Sequence, residues 1–184
     1  MARILFVRLA LAGLVSLSGS LPVIVSTGTA ASAQAVGPNK SNLPIPRFVS
    51  LKSSRVNLRV GPGRGYPVDW MFLKAGLPVE VIQEYDNWRR IRDSEGTEGW
   101  VNQSLLSGKR TAVAAPWNKG KDATLELRRE PVADSGLVAQ VEPGAVGEIS
   151  RCNGSWCEVS FDGYRGWMSQ TLLWGAYPDE QIDK

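Results

Sequence analysis

The sequence predicts an all-β protein in which one small barrel is built twice. Residues 99–106 (GWVNQSLL) return as residues 166–173 (GWMSQTLL), and Trp88 returns as Trp156, so matched positions lie 67 and 68 residues apart. Such a fixed period is typical of one structural unit built twice. The rest of the chain consists of short β-type runs separated by glycine and proline, and no stretch keeps a helical period for more than a turn. This spacing favours small barrels over helical bundles.

The first 33 residues have the pattern of a secretory signal peptide. Arg3 and Arg8 are followed by a mostly apolar stretch over residues 9–25, and Ala31-Ser32-Ala33 is an A-x-A cleavage site. We predict export to the periplasm or the outside, with cleavage after Ala33 and membrane contact only through the signal peptide. A retained anchor is disfavoured because serines and a proline interrupt a run that needs roughly 20 apolar residues.

The remaining elements follow the same order in both copies. Residues 34–47 are polar and proline-containing and are predicted to be a flexible lead. The first unit, residues 48–106, is predicted to hold strands at 56–60, 68–73, 79–82, 88–92 and 98–101, with a 3₁₀ turn at 104–106. The second unit, residues 123–174, begins at 125–127 and continues through strands at 137–141, 147–151 and 156–161, and residues 175–184 form a tail.

The segment between the units, residues 107–122, is predicted to be a basic spacer. Residues 107–121 carry four basic and no acidic side chains. The chain without residues 1–33 has 19 basic and 18 acidic residues, a net charge of +1. Four spread charges are usually solvated, so we predict no nucleic-acid site.

The two cysteines are predicted to form a disulfide. Cys152 and Cys157 flank Asn153-Gly154, a strong reverse-turn signal, and opposed positions of a hairpin are close enough to be bridged. Closing so short a loop contributes about 2 kcal/mol in an oxidising compartment. Units of roughly 50–60 residues are marginal and benefit from such a link. A metal-binding or reactive thiol pair is disfavoured because the chain has no histidine and no third cysteine.

The residue inventory disfavours enzyme function. The absence of histidine excludes Ser-His-Asp catalysis and imidazole-bound metals. The carboxylates lie beside turns or in strand alternation and are interpreted as solvated surface: Asp69, Glu80, Glu84, Asp86 and Asp93. We therefore expect no catalytic residue, no metal and no cofactor.

The glycine cluster at residues 61–65 (GPGRG) is interpreted as a structural turn. It lacks the Gly-Lys-Ser/Thr ending and the following helix of a phosphate-binding loop. Gly61 and Gly63 are expected to supply positive φ, and Pro62 to fix the turn.

These motifs together resemble the bacterial SH3 (SH3b) family. The resemblance rests on residues 57–63 (NLRVGPG), Tyr66, residues 74–76 (KAG), Trp88 and residues 99–101 (GWV). The second copy keeps Leu127-Arg128, Trp156 and Gly166-Trp167. It has residues 129–131 (REP) where the first copy has residues 60–62 (VGP), so we expect its loop to differ in shape.

The resemblance implies SH3-like barrels, exported to the cell envelope, that bind wall peptides or other proteins as non-catalytic modules. We therefore expect an exported binding protein that holds an extended ligand, either a peptidoglycan peptide or a segment of an envelope protein. The alternative is a structural scaffold or regulatory partner of a separate envelope enzyme, with the barrels packed face to face. A proline-rich ligand is disfavoured, because the resemblance does not carry that specificity.

Aromatic side chains are the candidate ligand contacts. Trp88 lies three residues from Ile91, which places them on opposite faces of a strand and leaves Trp88 toward the surface. By the same count, Trp156 faces away from Cys157. The candidate ligand-binding residues are Tyr66, Trp88, Arg64, Trp156 and Tyr164.

Other roles remain open or differ for the neighbouring residues. For Tyr66, Trp88 and Trp156, a groove position and a packed position are both open. Trp100 and Trp167, each after a glycine, are expected in the cores. Arg59 is expected to brace the glycine loop, and Arg64 to meet a ligand carboxylate.

Overall fold

A computed structural model describes residues 41–183, and its first half is one antiparallel sheet. The strands are β1 (Arg47–Leu51), β2 (Val56–Arg59), β3 (Val68–Phe72), β4 (Pro78–Tyr85), β5 (Trp88–Arg92), β6 (Glu98–Asn102) and β7 (Leu106–Ser107). Their order across the sheet is β3-β2-β6-β5-β4-β1-β7. A 3₁₀ turn at Gln103–Leu105 follows β6, within one residue of the prediction.

The second half repeats this topology. Its strands are β8 (Thr111–Ala114), β9 (Leu125–Arg128), β10 (Leu137–Val141), β11 (Val146–Asn153), β12 (Trp156–Phe161), β13 (Tyr164–Ser169), β14 (Leu173–Trp174) and β15 (Gln181–Ile182). The order is β10-β9-β13-β12-β11-β8-β14, with β15 paired to β11. The first seven strands of each copy therefore match one to one, which confirms the all-β fold and the duplication.

Each sheet wraps around a core of its own, because apolar residues alternate along its strands. In the first barrel the core contains Leu51, Val56, Leu58, Phe72, Val79, Val81, Ile91 and Val101. In the second it contains, among others, Leu125, Leu127, Val141, Ile149, Val159, Phe161, Met168 and Leu173.

The segments expected to connect or flank the units contribute to the barrels. Within residues 107–122, β8 is buried along its whole length and is the counterpart of β1, so this segment is not a spacer. Its run of small apolar residues between basic ones is short enough to be taken for part of a linker. In the expected lead, Ser41 hydrogen-bonds Glu84, and β15 of the expected tail pairs with β11.

The two barrels contact each other through the C-terminal residues. The Phe48 ring meets the Trp174 ring edge-on at 4.9 Å between centroids and the Tyr177 ring at 4.7 Å. Tyr177 Oη donates a 2.8 Å hydrogen bond to Glu80 Oε1. Burial, followed by this bond to a carboxylate, raises the pKa of Tyr177. The C-terminal segment thereby fastens the second barrel to the first.

The predicted signal peptide and its cleavage after Ala33 lie outside the described residues. Over residues 41–183 there is no helix whose length and apolar character would let it span a bilayer.

Candidate functional site

The repeated Gly-Trp pair marks a close crossing of two strands. A Cβ on Gly99 would lie 2.5 Å from Leu58 Cγ, and one on Gly166 would lie 2.6 Å from the Arg128 carbonyl oxygen. Only glycine fits at these core-facing positions, so the next residue points to the opposite, outer face. The prediction that Trp100 and Trp167 are core residues is therefore wrong: both are half-buried on the outer face.

In the first barrel the outer face is aromatic and basic. We call it the first outer face and define it by Arg59, Trp88, Arg90, Trp100 and Asn102. Trp100 is paired with Arg59 of β2 on one side and Arg90 of β5 on the other. Trp88 is paired with Asn102, so the two indoles are diagonal neighbours, about 7–8 Å apart between Cα atoms. The prediction that Trp88 faces away from Ile91 is confirmed.

The glycine loop borders this face and is held by Arg59. Arg59 Nη1 donates a 2.7 Å hydrogen bond to the Tyr66 carbonyl, the bracing role that was predicted. The Tyr66 ring covers the loop: a Cβ on Gly61 would lie 2.6 Å from its Cγ, and one on Gly63 would lie 3.2 Å from its Cδ2. Neither glycine has a positive φ, so the conformational role predicted for them is wrong. They provide close access for the ring, which is 48% exposed.

Arg64 lies at the tip of this loop and is exposed. Among residues 41–183 it has neither an ion pair nor a side-chain hydrogen bond. Its guanidinium is therefore available to a ligand.

The corresponding loop of the second barrel has the same backbone hydrogen bonds. Val132 N bonds Glu130 O as Gly63 N bonds Gly61 O, at 2.8 and 2.9 Å. Arg128 Nη1 also donates to the carbonyl of Ser135 at 2.7 Å, as Arg59 does to Tyr66. The expectation of a different loop shape is wrong because the arginine and the backbone bonds fix the shape.

The second loop differs from the first in its side chains. Where Tyr66 places a ring on the first loop, Ser135 Oγ donates to the Glu130 carbonyl at 3.0 Å. The second loop therefore has the same path without the aromatic surface.

The outer face of the second barrel is covered. Trp167 is paired with Arg128 and with Glu158, which takes the place of Arg90. The Arg151 guanidinium lies 4.9 Å from the centroid of the Trp167 ring and bonds Glu158 Oε2 at 3.1 Å. This stacked ion pair occupies the surface that is open and basic in the first barrel.

The predicted contacts of the second barrel are far apart. Trp156 faces away from Cys157, as predicted, and pairs with Ser169 at one end of β12. Tyr164 is exposed and pairs with Phe161 at the other end, five residues and about 16 Å along the strand. Trp156 and Tyr164 therefore do not share a site.

Two cavities involve tryptophans that the sequence analysis did not select. One, of about 460 Å³, is lined by Trp117 and Trp156 within the second barrel. The other, of about 550 Å³, lies between the barrels and is lined by Trp70, Leu73 and Lys119, among others. Trp117 lies in the supposed spacer, and the Pro-Trp pair that follows a run of small apolar residues was the available signal.

The predicted disulfide is confirmed. Cys152 and Cys157 are opposed across the hairpin and bonded, with Cα atoms 4.1 Å apart. Asn153 Oδ1 accepts hydrogen bonds from the backbone N–H groups of Ser155 and Trp156, which fixes the turn.

Two carboxylates expected on the surface are buried in ion-pair clusters. Glu84 is contacted by Arg47 at 2.6 Å and Arg89 at 3.1 Å. Burial would raise the pKa of Glu84, but hydrogen bonds from Ser41 and Arg47 and the charge of Arg89 hold it below its usual 4.5. Glu80 bonds Arg92 Nη2 at 2.6 Å.

No group of three or more His, Cys, Asp or Glu side chains in the described part of the chain could hold a metal ion.

Comparison with solved structures gives distant likenesses. The chain is similar to NlpC2 from Trichomonas vaginalis (12% identity, 76% of this chain, 51% of that chain, TM-score 0.32). It is also similar to NlpC1 from the same organism (14%, 78%, 50%, 0.32) and to an NlpC/P60 family protein from Bacillus cereus (12%, 70%, 56%, 0.31). It spans about half the length of these structures.

Comparison with curated proteins finds no match. The family model described as "Bacterial SH3 domain" matches residues 52–108 and 121–175, which is more than half of the chain and includes both barrels. The chain therefore belongs to the bacterial SH3 domain family.

Proposed function

We propose that the protein is a non-catalytic, exported binding protein whose first barrel holds an extended peptide of the cell wall. The observation that carries the proposal is the first outer face, where two tryptophans alternate with arginines on an open sheet. Extended peptides bind SH3-type barrels in aromatic-lined grooves. The family assignment supports a binding role.

The charge of the first outer face favours a ligand that carries carboxylates. Arg59 and Arg90 flank Trp100, and Arg64 extends from the bordering loop. Arg90 also contacts Glu98 Oε2 at 2.9 Å, an exposed pair that a ligand carboxylate can replace at little cost. Peptidoglycan stem peptides carry free carboxylates on a short extended chain and match this arrangement.

The test measures retention of the protein without residues 1–33 on purified sacculi and its affinity for a soluble stem tetrapeptide. Trp100→Ala should abolish retention and weaken the peptide at least tenfold, since a half-buried indole contributes on the order of 1.4 kcal/mol or more. Trp70→Ala is the matched control: Trp70 is 57% exposed but lies away from this face. Equal binding by the two variants would refute the proposal.

Gly61→Ala separates the role of the Tyr66 ring from that of the sheet. The added methyl displaces an exposed ring and leaves β2 and β6 in place. We expect an unchanged melting temperature and weaker peptide binding. If sacculi fail to retain the unmodified protein while an envelope enzyme does retain it, the scaffold alternative replaces the proposal.

A further inference from the structure

The cavity on the second barrel has the size and the walls of a small-ligand site. Its volume is about 460 Å³, within the range of such sites. Trp117, 52% exposed, and the half-buried Trp156 form its aromatic walls.

The cavity is particular to the second barrel. Between β8 and β9 the chain runs through residues 115–124, whereas between β1 and β2 it has only residues 52–55. The longer connection forms the 3₁₀ turn Pro116–Asn118, which positions Trp117. Pro178 and Asp179, beyond β14, complete the wall.

The polar groups of the cavity are nearly all uncharged. Ser155, Ser169 and Thr171 contribute hydroxyls, and the hydroxyls of Ser169 and Thr171 are 3.0 Å apart. Asp179 is the one ionisable side chain among the lining residues that the structure describes. A neutral ligand with several hydrogen-bonding groups therefore fits better than a charged peptide.

Gln170 provides an acceptor that nothing satisfies. The residue lines the cavity and is 3% exposed. Its Nε2 donates to the carbonyls of Tyr177 at 2.5 Å and Glu180 at 3.0 Å, which fixes the orientation of the amide. Its buried Oε1 has no donor within the described chain. An unsatisfied buried acceptor is costly, and a donor that reaches the floor of the cavity removes the cost.

We propose that the cavity formed by Trp117, Trp156 and Gln170 binds a neutral sugar ring of a glycan chain. A pyranose presents a C–H face that packs on indole and a rim of hydroxyls that both donate and accept. Those hydroxyls match Ser155, Ser169, Thr171 and the free acceptor of Gln170. The site is independent of the first outer face and is therefore a second function of the duplicated fold.

The test is a titration of the protein without residues 1–33 with chitotriose and with cellotriose, followed by calorimetry and tryptophan fluorescence. We expect saturable binding of at least one of the two at one site per chain. Trp117→Ala should weaken it about tenfold, and Trp117→Phe should restore part of the affinity. Trp70→Ala, which removes an exposed indole elsewhere, should bind as the unmodified protein does.

Three results would overturn the proposal. These are no saturation by either sugar at about 10 mM, equal affinities of Trp117→Ala and Trp70→Ala, or a neutral tripeptide that occupies the cavity more tightly than either sugar. Trp117→Ala should keep its affinity for the stem tetrapeptide, and Trp100→Ala should keep its affinity for sugar. Failure of one proposal is therefore distinguishable from failure of the other.

Discussion

Replacing Gly166 by alanine should destabilise the second barrel, although it adds only one methyl group. The new Cβ would lie 2.6 Å from the Arg128 carbonyl oxygen and 2.8 Å from Leu127 Cγ. Leu127 is fully buried, so its side chain has no free space into which to move. Arg128 is paired with Trp167 between β9 and β13, so its carbonyl shifts only if that pairing is disturbed.

The magnitude follows from the general cost of overpacking. Adding a methyl group to a filled core costs about 1–3 kcal/mol. In a protein of this size each kcal/mol lowers the melting temperature by about 2–4 °C. We therefore expect Gly166→Ala to melt about 4–8 °C lower, at the middle of that range.

Gly65→Ala is the matched control, because a Cβ on Gly65 would have no neighbour within 4 Å and its φ is not positive. Its free energy of unfolding should stay within about 0.5 kcal/mol of the original. Calorimetric melting and urea titration of both variants provide the measurement. Equal stabilities of Gly166→Ala and Gly65→Ala would show that β9 and β13 do not cross as closely as the structure indicates.

Three further predictions concern the bonds that hold the barrels. Reduction of the Cys152–Cys157 disulfide should lower the free energy of unfolding by about 2 kcal/mol, measured by urea titration with and without reductant. Tyr177→Phe, which removes the hydrogen bond to Glu80, should cost about 0.5–1.5 kcal/mol by the same titration; no change would mean that the bond does not form. The lowered pKa of Glu84 means that its ion pairs stabilise the fold above pH 4.5 and that this contribution is lost as pH falls through the folded pKa. Melting curves between pH 3 and 7 should therefore show a smaller acid loss in Glu84→Gln than in the original protein.

The sequence was sufficient for features that depend on local or repeated patterns. The duplication, the strand alternation around Ile91 and the hairpin disulfide all follow from residues close to one another in the chain. The shape of the second loop could also have been predicted, since Arg59 recurs as Arg128 and the bracing bond depends on that arginine. The differences in the residues that follow were given too much weight.

The sequence was insufficient where a position is decided by a distant strand. Trp100 and Trp167 are on the outer face because Gly99 and Gly166 meet strands some 40 residues earlier in the chain, a contact that no local pattern reveals. Glu84 was interpreted as solvated because its partner Arg47 comes from a strand 37 residues away.

The two barrels share a scaffold but differ in what they expose, and this difference argues for divided roles. In the first barrel Trp100 lies between two arginines on an open face, whereas in the second Arg151 covers Trp167 and Glu158 replaces an arginine. The second barrel has instead a longer connection after β8, which places Trp117 at a separate cavity. Two binding sites on one chain raise each other's effective concentration toward a ligand that carries both chemical groups. A wall polymer with peptide and sugar portions is such a ligand, and two weak sites would then suffice for firm attachment.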